Sequence, residues 1–287
     1  MDSFVYAGLA AVGFAAGLLG SLLGLGGGIF VVPALTLLFG VPTPVAIGTS
    51  NVVVVATSTG AASAYVQNRL ANLRLSLVLL VSTVAAALIS SLAASFLPDR
   101  VLSGLFAALL IYTALNMLRR SKPQVVVPLQ NPSAQSNGNG MDLSGSYYDA
   151  ASARIETYIP RRVGTGVVIS AFAGIIAGLL GVGGGIVQVP VMNMLMGVPL
   201  KAAAGTSSYM IGVTATSAAF VRYARGDVHS LLVVPTVLAV FFGARLGAWL
   251  VPRMPTGRLK MIFGWVALLI AALMLLQALG IYKASGR

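Results

Sequence analysis

Charged positions along this chain gather in short clusters that separate long apolar runs. Phe4–Leu23, Val45–Val66, Leu75–Leu97, Val101–Leu118, Val163–Leu180, Ala202–Val221 and Leu259–Ile281 hold no Lys, Arg, Asp or Glu beyond an end residue or Lys260. Leu231–Val251 joins them apart from Arg245. Most reach the roughly 20 residues that a bilayer-spanning helix needs. Two shorter legs, Ile29–Phe39 and Ile186–Met196, would extend about 16 Å as helices, half a hydrocarbon core. Each is predicted to be either the return leg of a re-entrant hairpin or the second half of one interrupted helix. A hairpin leaves three full crossings per half and an interrupted helix gives four.

The two legs belong to a repeat. Gly24-Leu-Gly-Gly-Gly-Ile-Phe-Val-Val-Pro33 recurs as Gly181-Val-Gly-Gly-Gly-Ile-Val-Gln-Val-Pro190, a separation of 157 residues. The same separation pairs Gly17 with Gly174, Gly40-Val41-Pro42 with Gly197-Val198-Pro199, Gly48-Thr49-Ser50 with Gly205-Thr206-Ser207, and Pro98 with Pro255. Such halves joined by a middle segment are the sequence signature of a secondary transporter. We expect an all-α integral membrane protein of two homologous halves, residues 1–118 and 163–287. Each half would carry a Gly-rich broken or re-entrant helix and three to four spanning helices. Loop charges do not decide orientation, since with the linker set aside and held inside, inverted and parallel halves both leave six Lys and Arg inside against five outside. Inverted repeats are favoured over parallel ones, because re-entrant legs of this length commonly build midplane sites in transporters.

Composition supports the membrane assignment. Of 287 residues, 57% are hydrophobic and 8% charged, with a mean hydropathy of +0.93, too little polar surface for a water-soluble domain. The start Met1-Asp2-Ser3-Phe4, with no Lys or Arg before Arg69, is unlike a cleavable secretory signal, so the first apolar run is expected to stay. Cysteine is absent, which excludes disulfides and thiolate chemistry. A net charge of +12 would attract anions, but cytoplasmic Lys and Arg facing acidic lipid are its ordinary source. The basic residues are spread over many loops, which argues against nucleic-acid binding.

Residues 119–162 change character to Pro, Asn, Ser, Gly and charge, too polar to bury a core. They are read as a largely flexible linker, flexible at least over 123–145. Arg119, Arg120, Lys122, Arg161 and Arg162 at its ends place it in the cytoplasm.

Candidate chemistry sits at the repeat. Without side chains, Gly24, Gly26, Gly27 and Gly28, and equally Gly181, Gly183, Gly184 and Gly185, let backbone amides converge on a ligand. The helix that follows presents unpaired N–H groups there, an anion site with no required cation. Close helix packing is the competing explanation, and it is favoured for Gly13 and Gly17. Thr49, Ser50 and Asn51, with Thr206, Ser207 and Ser208, could complete coordination of a small oxyanion or serve as caps and back-bonded hydroxyls. Gln188 could line the same cavity or bond between helices. Arg245 is the one charge well inside a predicted span, a candidate anion partner or a side chain that snorkels to the interface. Asp227 and His229, with Arg222 and Arg225, read as a solvated loop cluster, with His229 a candidate for proton coupling. No catalytic constellation, metal-ligand set or nucleotide-binding loop is present in the sequence, so neither enzyme activity, metal nor cofactor is expected.

The duplicated Gly-x-Gly-Gly-Gly-x-x-x-x-Pro, each copy followed by Gly-Val-Pro and Gly-Thr-Ser, resembles the sulfite exporter TauE/SafE family of membrane permeases over nearly the whole chain except the linker. The resemblance implies a secondary transporter, in bacteria of the inner membrane, that moves small sulfur-containing anions such as sulfite or an organosulfonate, outward. It selects Gly24, Gly26, Gly27, Gly28, Pro33, Thr49 and Ser50, and Gly181, Gly183, Gly184, Gly185, Pro190, Thr206 and Ser207. A channel-like anion pathway and a membrane subunit of a larger complex stay open as alternatives, as do coupling to a proton or ion and the oligomeric state.

Overall fold

The structure is a computed structural model that describes residues 3–22, 24–118, 143–149, 154–251, 261, 264–265 and 268–275. Nine helices carry the described fold: α1 Ser3–Leu22, α2 Gly28–Leu38, α3 Thr43–Gln67, α4 Leu73–Ala93, α5 Asp99–Leu118, α6 Val163–Leu180, α7 Gly185–Pro190, α8 Leu200–Ala224 and α9 Ser230–Leu250. A short helical turn, Ala94–Phe96, extends α4. Residues 268–275 are also helical, within the run read over Leu259–Ile281. Five of the described helices, α1, α3, α4, α6 and α9, are long and apolar enough to cross a membrane. The runs at Val101–Leu118 and Ala202–Val221 form α5 and α8.

Element boundaries keep the 157-residue offset. Thr43–Gln67 corresponds to Leu200–Ala224, and Leu73–Ala93 to Ser230–Leu250. Local signals explain these starts. Pro42 and Pro199 precede α3 and α8 with matching backbone angles, where a missing N–H costs the helix nothing. Asn72 caps α4 by accepting the Leu75 N–H at 3.0 Å. The short legs differ: α2 is α-helical throughout, whereas α7 passes at Pro190 into a π-helical turn over Val191–Leu195.

Both legs fold back on the helix before them. Gly27 lies beside the Ala16 carbonyl and the Phe39 ring beside Gly8, each within 3.3 Å of the position a glycine Cβ would take. α2 therefore returns antiparallel along α1. In the second half Gly184 lies beside Ala173, Met196 lies against Gly166, and the Met196 carbonyl accepts the Arg161 N–H at 2.9 Å. The glycine breaks build helical hairpins that fold back, not helices that continue past the break.

The halves exchange partners. α1 beds on α9 through Gly13 and Gly17, which meet Thr236 and Val240, and through Gly243 and Gly247, which meet Phe14 and Leu18. α6 beds on α4 in the same way, Gly174 against Thr83 and Gly178 against Ala87. Missing side chains bring these backbones together, the packing role expected for Gly13 and Gly17. α3 and α8 run antiparallel, with Gly48 beside Asp227 at one end and Ser58 bonded to the Ser208 carbonyl further along. Val54 and Ile211, one residue of each, pack together where they cross.

The all-α membrane architecture holds, and the correction falls on the linker. Gly145–Asp149 (β1) and Arg154–Tyr158 (β2) form an antiparallel hairpin with Gly145 opposite Tyr158. Tyr147 and Tyr158 are buried in the core, and the Asn72 side-chain amide donates to the Leu143 carbonyl at 2.8 Å. The end of the linker is thus ordered against the α3–α4 turn, and residue 145 is not flexible. Residues 119–142 lie outside the described residues.

Candidate functional site

The two breaks meet between α3 and α8. Gly24 and Gly26 (φ 65 and 73), and Gly181 and Gly183 (φ 69 and 74), take left-handed backbone angles that side chains resist. This turn ends the first leg of each hairpin and reverses the chain. The Gly24 carbonyl accepts the Ser207 hydroxyl at 2.9 Å, and the Gly181 carbonyl accepts the Ser50 hydroxyl at 2.8 Å. Gly28 abuts the Gly181 carbonyl, and a Cβ on Gly185 would come within 2.6 Å of the Gly24 carbonyl oxygen. Gly26 and Gly183 both face Val54 and Ile211. Each break is therefore clasped by the other half.

One pair of equivalents departs from the match. Gly27 is right-handed at φ −66, whereas Gly184 is left-handed at φ 79. Both precede helices whose first N–H groups have no carbonyl within the helix to bond.

The expected polar residues are all buried, with Thr49, Ser50, Asn51, Thr206 and Ser207 at 0% exposure and Ser208 at 3%, and Ser50 and Ser207 are the two that bond the breaks. Their hydrogen-bonding capacity is spent unevenly. Ser50 and Ser207 donate to the break carbonyls. Thr206 Oγ1 accepts the Asn72 backbone N–H at 3.0 Å. Thr49 Oγ1 and both amide atoms of Asn51 have no partner. An orphaned buried polar atom costs about 1–3 kcal/mol, so these two side chains are where a polar solute would find free donors and acceptors.

Gln188 lies within the same cluster. Its Nε2 is 3.5 Å from Thr83 Oγ1 and its Oε1 3.5 Å from Ser207 Oγ. Both hydroxyls donate to closer carbonyls, Leu79 at 2.7 Å and Gly24 at 2.9 Å. Gln188 is thus buried with its amide N–H on the Thr83 hydroxyl and its carbonyl oxygen beside a Ser207 hydroxyl already committed to Gly24.

Two expectations change. Arg245 is exposed on α9, as are Phe242, Leu246 and Trp249, whereas the other candidate side chains are buried. Arg222, read as part of a solvated loop, is inside α8 at 1% exposure. Its sequence position just past the apolar run concealed this, because the helix runs three residues beyond Val221.

The glycines are also tightly packed. A Cβ would collide with neighbouring backbone at Gly24, Gly28, Gly181 and Gly185, so close approach is part of their role. A cavity of about 770 Å³ opens to one side, lined by Val55, Ser58 and Thr59 of α3, Val84 and Leu88 of α4, and Tyr209, Gly212 and Thr216 of α8, among others. None of the triplet glycines lines it.

Comparison with known proteins points to a membrane transporter. The sulfite exporter TauE/SafE family matches residues 9–274, and the chain belongs to that family. It is 28% identical over 278 residues to the probable membrane transporter protein YunE of Bacillus subtilis, covering 94% of this chain and 97% of YunE. It is 26% identical over 260 residues to the probable membrane transporter protein MJ0441 of Methanocaldococcus jannaschii, covering 84% and 86%. No solved structure matches it. Family and relatives identify a multi-pass membrane transporter with a non-enzymatic role.

Proposed function

We propose that the chain is a secondary transporter of small sulfur-containing anions such as sulfite or organosulfonates, built from two duplicated halves in inverted orientation. The anion binds near the bilayer middle at the N-terminal ends of the returning legs, on backbone amides beside Gly26–Gly28 and Gly183–Gly185. Asn51 and Thr49 supply side-chain bonds, and Ser50, Ser207, Ser208, Thr206 and Gln188 shape the surround. Hairpins leave three full crossings in each half, so the second half starts from the opposite face. The antiparallel crossing of α3 with its counterpart α8 at Val54 and Ile211 supports that inversion.

The observation that carries the reading is the reciprocal clasp, Ser50 on Gly181 and Ser207 on Gly24. Each half holds the break of the other, so rocking one half against its partner changes both breaks together. Because the glycines are close-packed, α3 and α8 must separate for the anion to enter, and the cavity beside Val55 and Gly212 is where that separation begins. Such motion exposes the centre to one face at a time, which is alternating access.

Counterflow in proteoliposomes tests this. Purified chain loaded with unlabelled sulfite is expected to accelerate uptake of labelled sulfite. Flux without trans-stimulation would assign a channel-like pathway instead. A binding panel of sulfite, thiosulfate, sulfate, short sulfonates and carboxylates then identifies the preferred anion, and transport by the chain alone excludes dependence on a larger complex.

A further inference from the structure

We infer that Arg222 is the cation that captures the transported anion, and that Asp227 is a tethered carboxylate that occupies it until the solute arrives. The assignment rests on the anion-transporter reading and names the residue of that site that recognises charge.

The guanidinium is buried yet poorly satisfied. Arg222 Nη1 reaches Asp227 Oδ2 at 3.3 Å and Nη2 reaches the Leu179 carbonyl at 3.4 Å, while Nε has no partner. Charge-assisted bonds of this kind ordinarily measure about 2.7–2.9 Å, and a carboxylate that fits the fork makes two. Asp227 makes one long contact. A solute with two oxygens in one plane, as in sulfite, a sulfonate or a carboxylate, would fit the fork better.

Position joins this cation to the breaks. Leu179 lies two residues before Gly181, whose carbonyl holds Ser50. The Asp227 backbone rests on Gly48, next to Thr49 with its unpartnered hydroxyl. The Asp227 side chain is 23% exposed while that of Arg222 is 1% exposed. The carboxylate therefore faces the water side, and an arriving anion replaces it without first burying a second negative charge.

The other half shows that structure alone does not require the charge. At the positions 157 residues earlier, Tyr65 donates its hydroxyl to the Ser21 carbonyl, and Leu70 stands where Asp227 does. Tyr65 caps the end of α1 as Arg222 caps the end of α6, using a neutral group. There Thr206 Oγ1 also receives the Asn72 N–H, a bond that its counterpart Thr49 lacks. Charge and free hydrogen-bonding capacity thus gather at one end of the site only.

The test installs the neutral pair on the charged side. Full-length R222Y/D227L and D227N proteins are purified in detergent, and thermal melting and Kd for sulfite, sulfate, methanesulfonate and chloride are measured. The double variant is expected to melt like wild type and to weaken oxyanion binding at least ~10-fold. D227N is expected to tighten oxyanion binding several-fold and chloride binding by less, since a single spherical acceptor matches the fork less well than two oxygens in one plane. Wild-type affinity in a folded double variant overturns the assignment, and so does an unchanged Kd in D227N, which decides the matter if the double variant misfolds. A wild-type protein that binds none of these anions fails at the transporter reading and takes this assignment with it.

Discussion

Ser50 donates its hydroxyl proton to the carbonyl of Gly181, 131 residues further along the chain, at 2.8 Å. Ser207 does the same for Gly24 at 2.9 Å. Ser50→Ala and Ser207→Ala each leave a buried carbonyl without its donor, a cost of about 1–3 kcal/mol. Both are expected to lower Tm in detergent by similar amounts. A Tm unchanged in either variant would show that the clasp does not hold the hairpins.

Gly27 and Gly184 occupy equivalent positions with opposite backbone hands, φ −66 and φ 79. A side chain at Gly184 adds about 1–2 kcal/mol of left-handed strain and meets the Ala173 carbonyl at 2.9 Å. Gly27→Ala meets only Thr57 Oγ1 at 3.0 Å and looser neighbours. Gly184→Ala should therefore lower Tm and transport more than Gly27→Ala, whereas Gly27→Val and Gly184→Val should both abolish flux in protein that still inserts. Equal effects of the two alanine variants would contradict the difference in backbone hand.

Asn51 is fully buried with neither amide atom bonded. Replacing such a group by an apolar one of similar size relieves an uncompensated burial. Asn51→Leu is expected to keep or raise Tm while reducing anion flux at least ~10-fold. A variant that keeps both Tm and flux would remove Asn51 from the binding site.

Arg245 is exposed on α9. Arg245→Gln should leave anion Kd within about twofold of wild type, since this side chain is exposed while the candidate site residues are buried. A tenfold loss would restore Arg245 as an anion partner.

The chain has no cysteine, so single cysteines report membrane sidedness directly. Gln67→Cys, before the α3–α4 turn, and His229→Cys, before α9, are expected to be labelled from opposite faces by an impermeant maleimide, because the proposed inverted arrangement puts three crossings between them. Labelling of both from one face would make the repeats parallel.

Much of this was legible beforehand because glycine and proline constrain backbone directly. The 157-residue register, the two short legs and the buried Thr49-Ser50-Asn51 cluster follow from local composition. Whether a leg returns or continues does not, since that depends on which neighbour receives it, as Phe39 does at Gly8. Arg222 was misplaced because burial of a guanidinium requires partners, Asp227 and the Leu179 carbonyl, that only the folded chain assembles. The hairpin at 145–158 carried its own signal in Tyr147, Tyr148, Ile155, Thr157 and Tyr158, aromatic and β-branched residues that a reading of the linker by its polar average passes over.

Bedding α1 on α9 sets an order of events during synthesis. The glycine-lined face of α1 is finished some 200 residues before its partner begins, an interval of about 10–40 s at ordinary elongation rates. During that time the first hairpin sits in lipid with its mating surface uncovered. The newborn chain must either shield that surface with a chaperone of the insertion machinery or hold it against lipid tails until the last third emerges, so cutting the gene between the halves should yield two fragments that are stable only when made together.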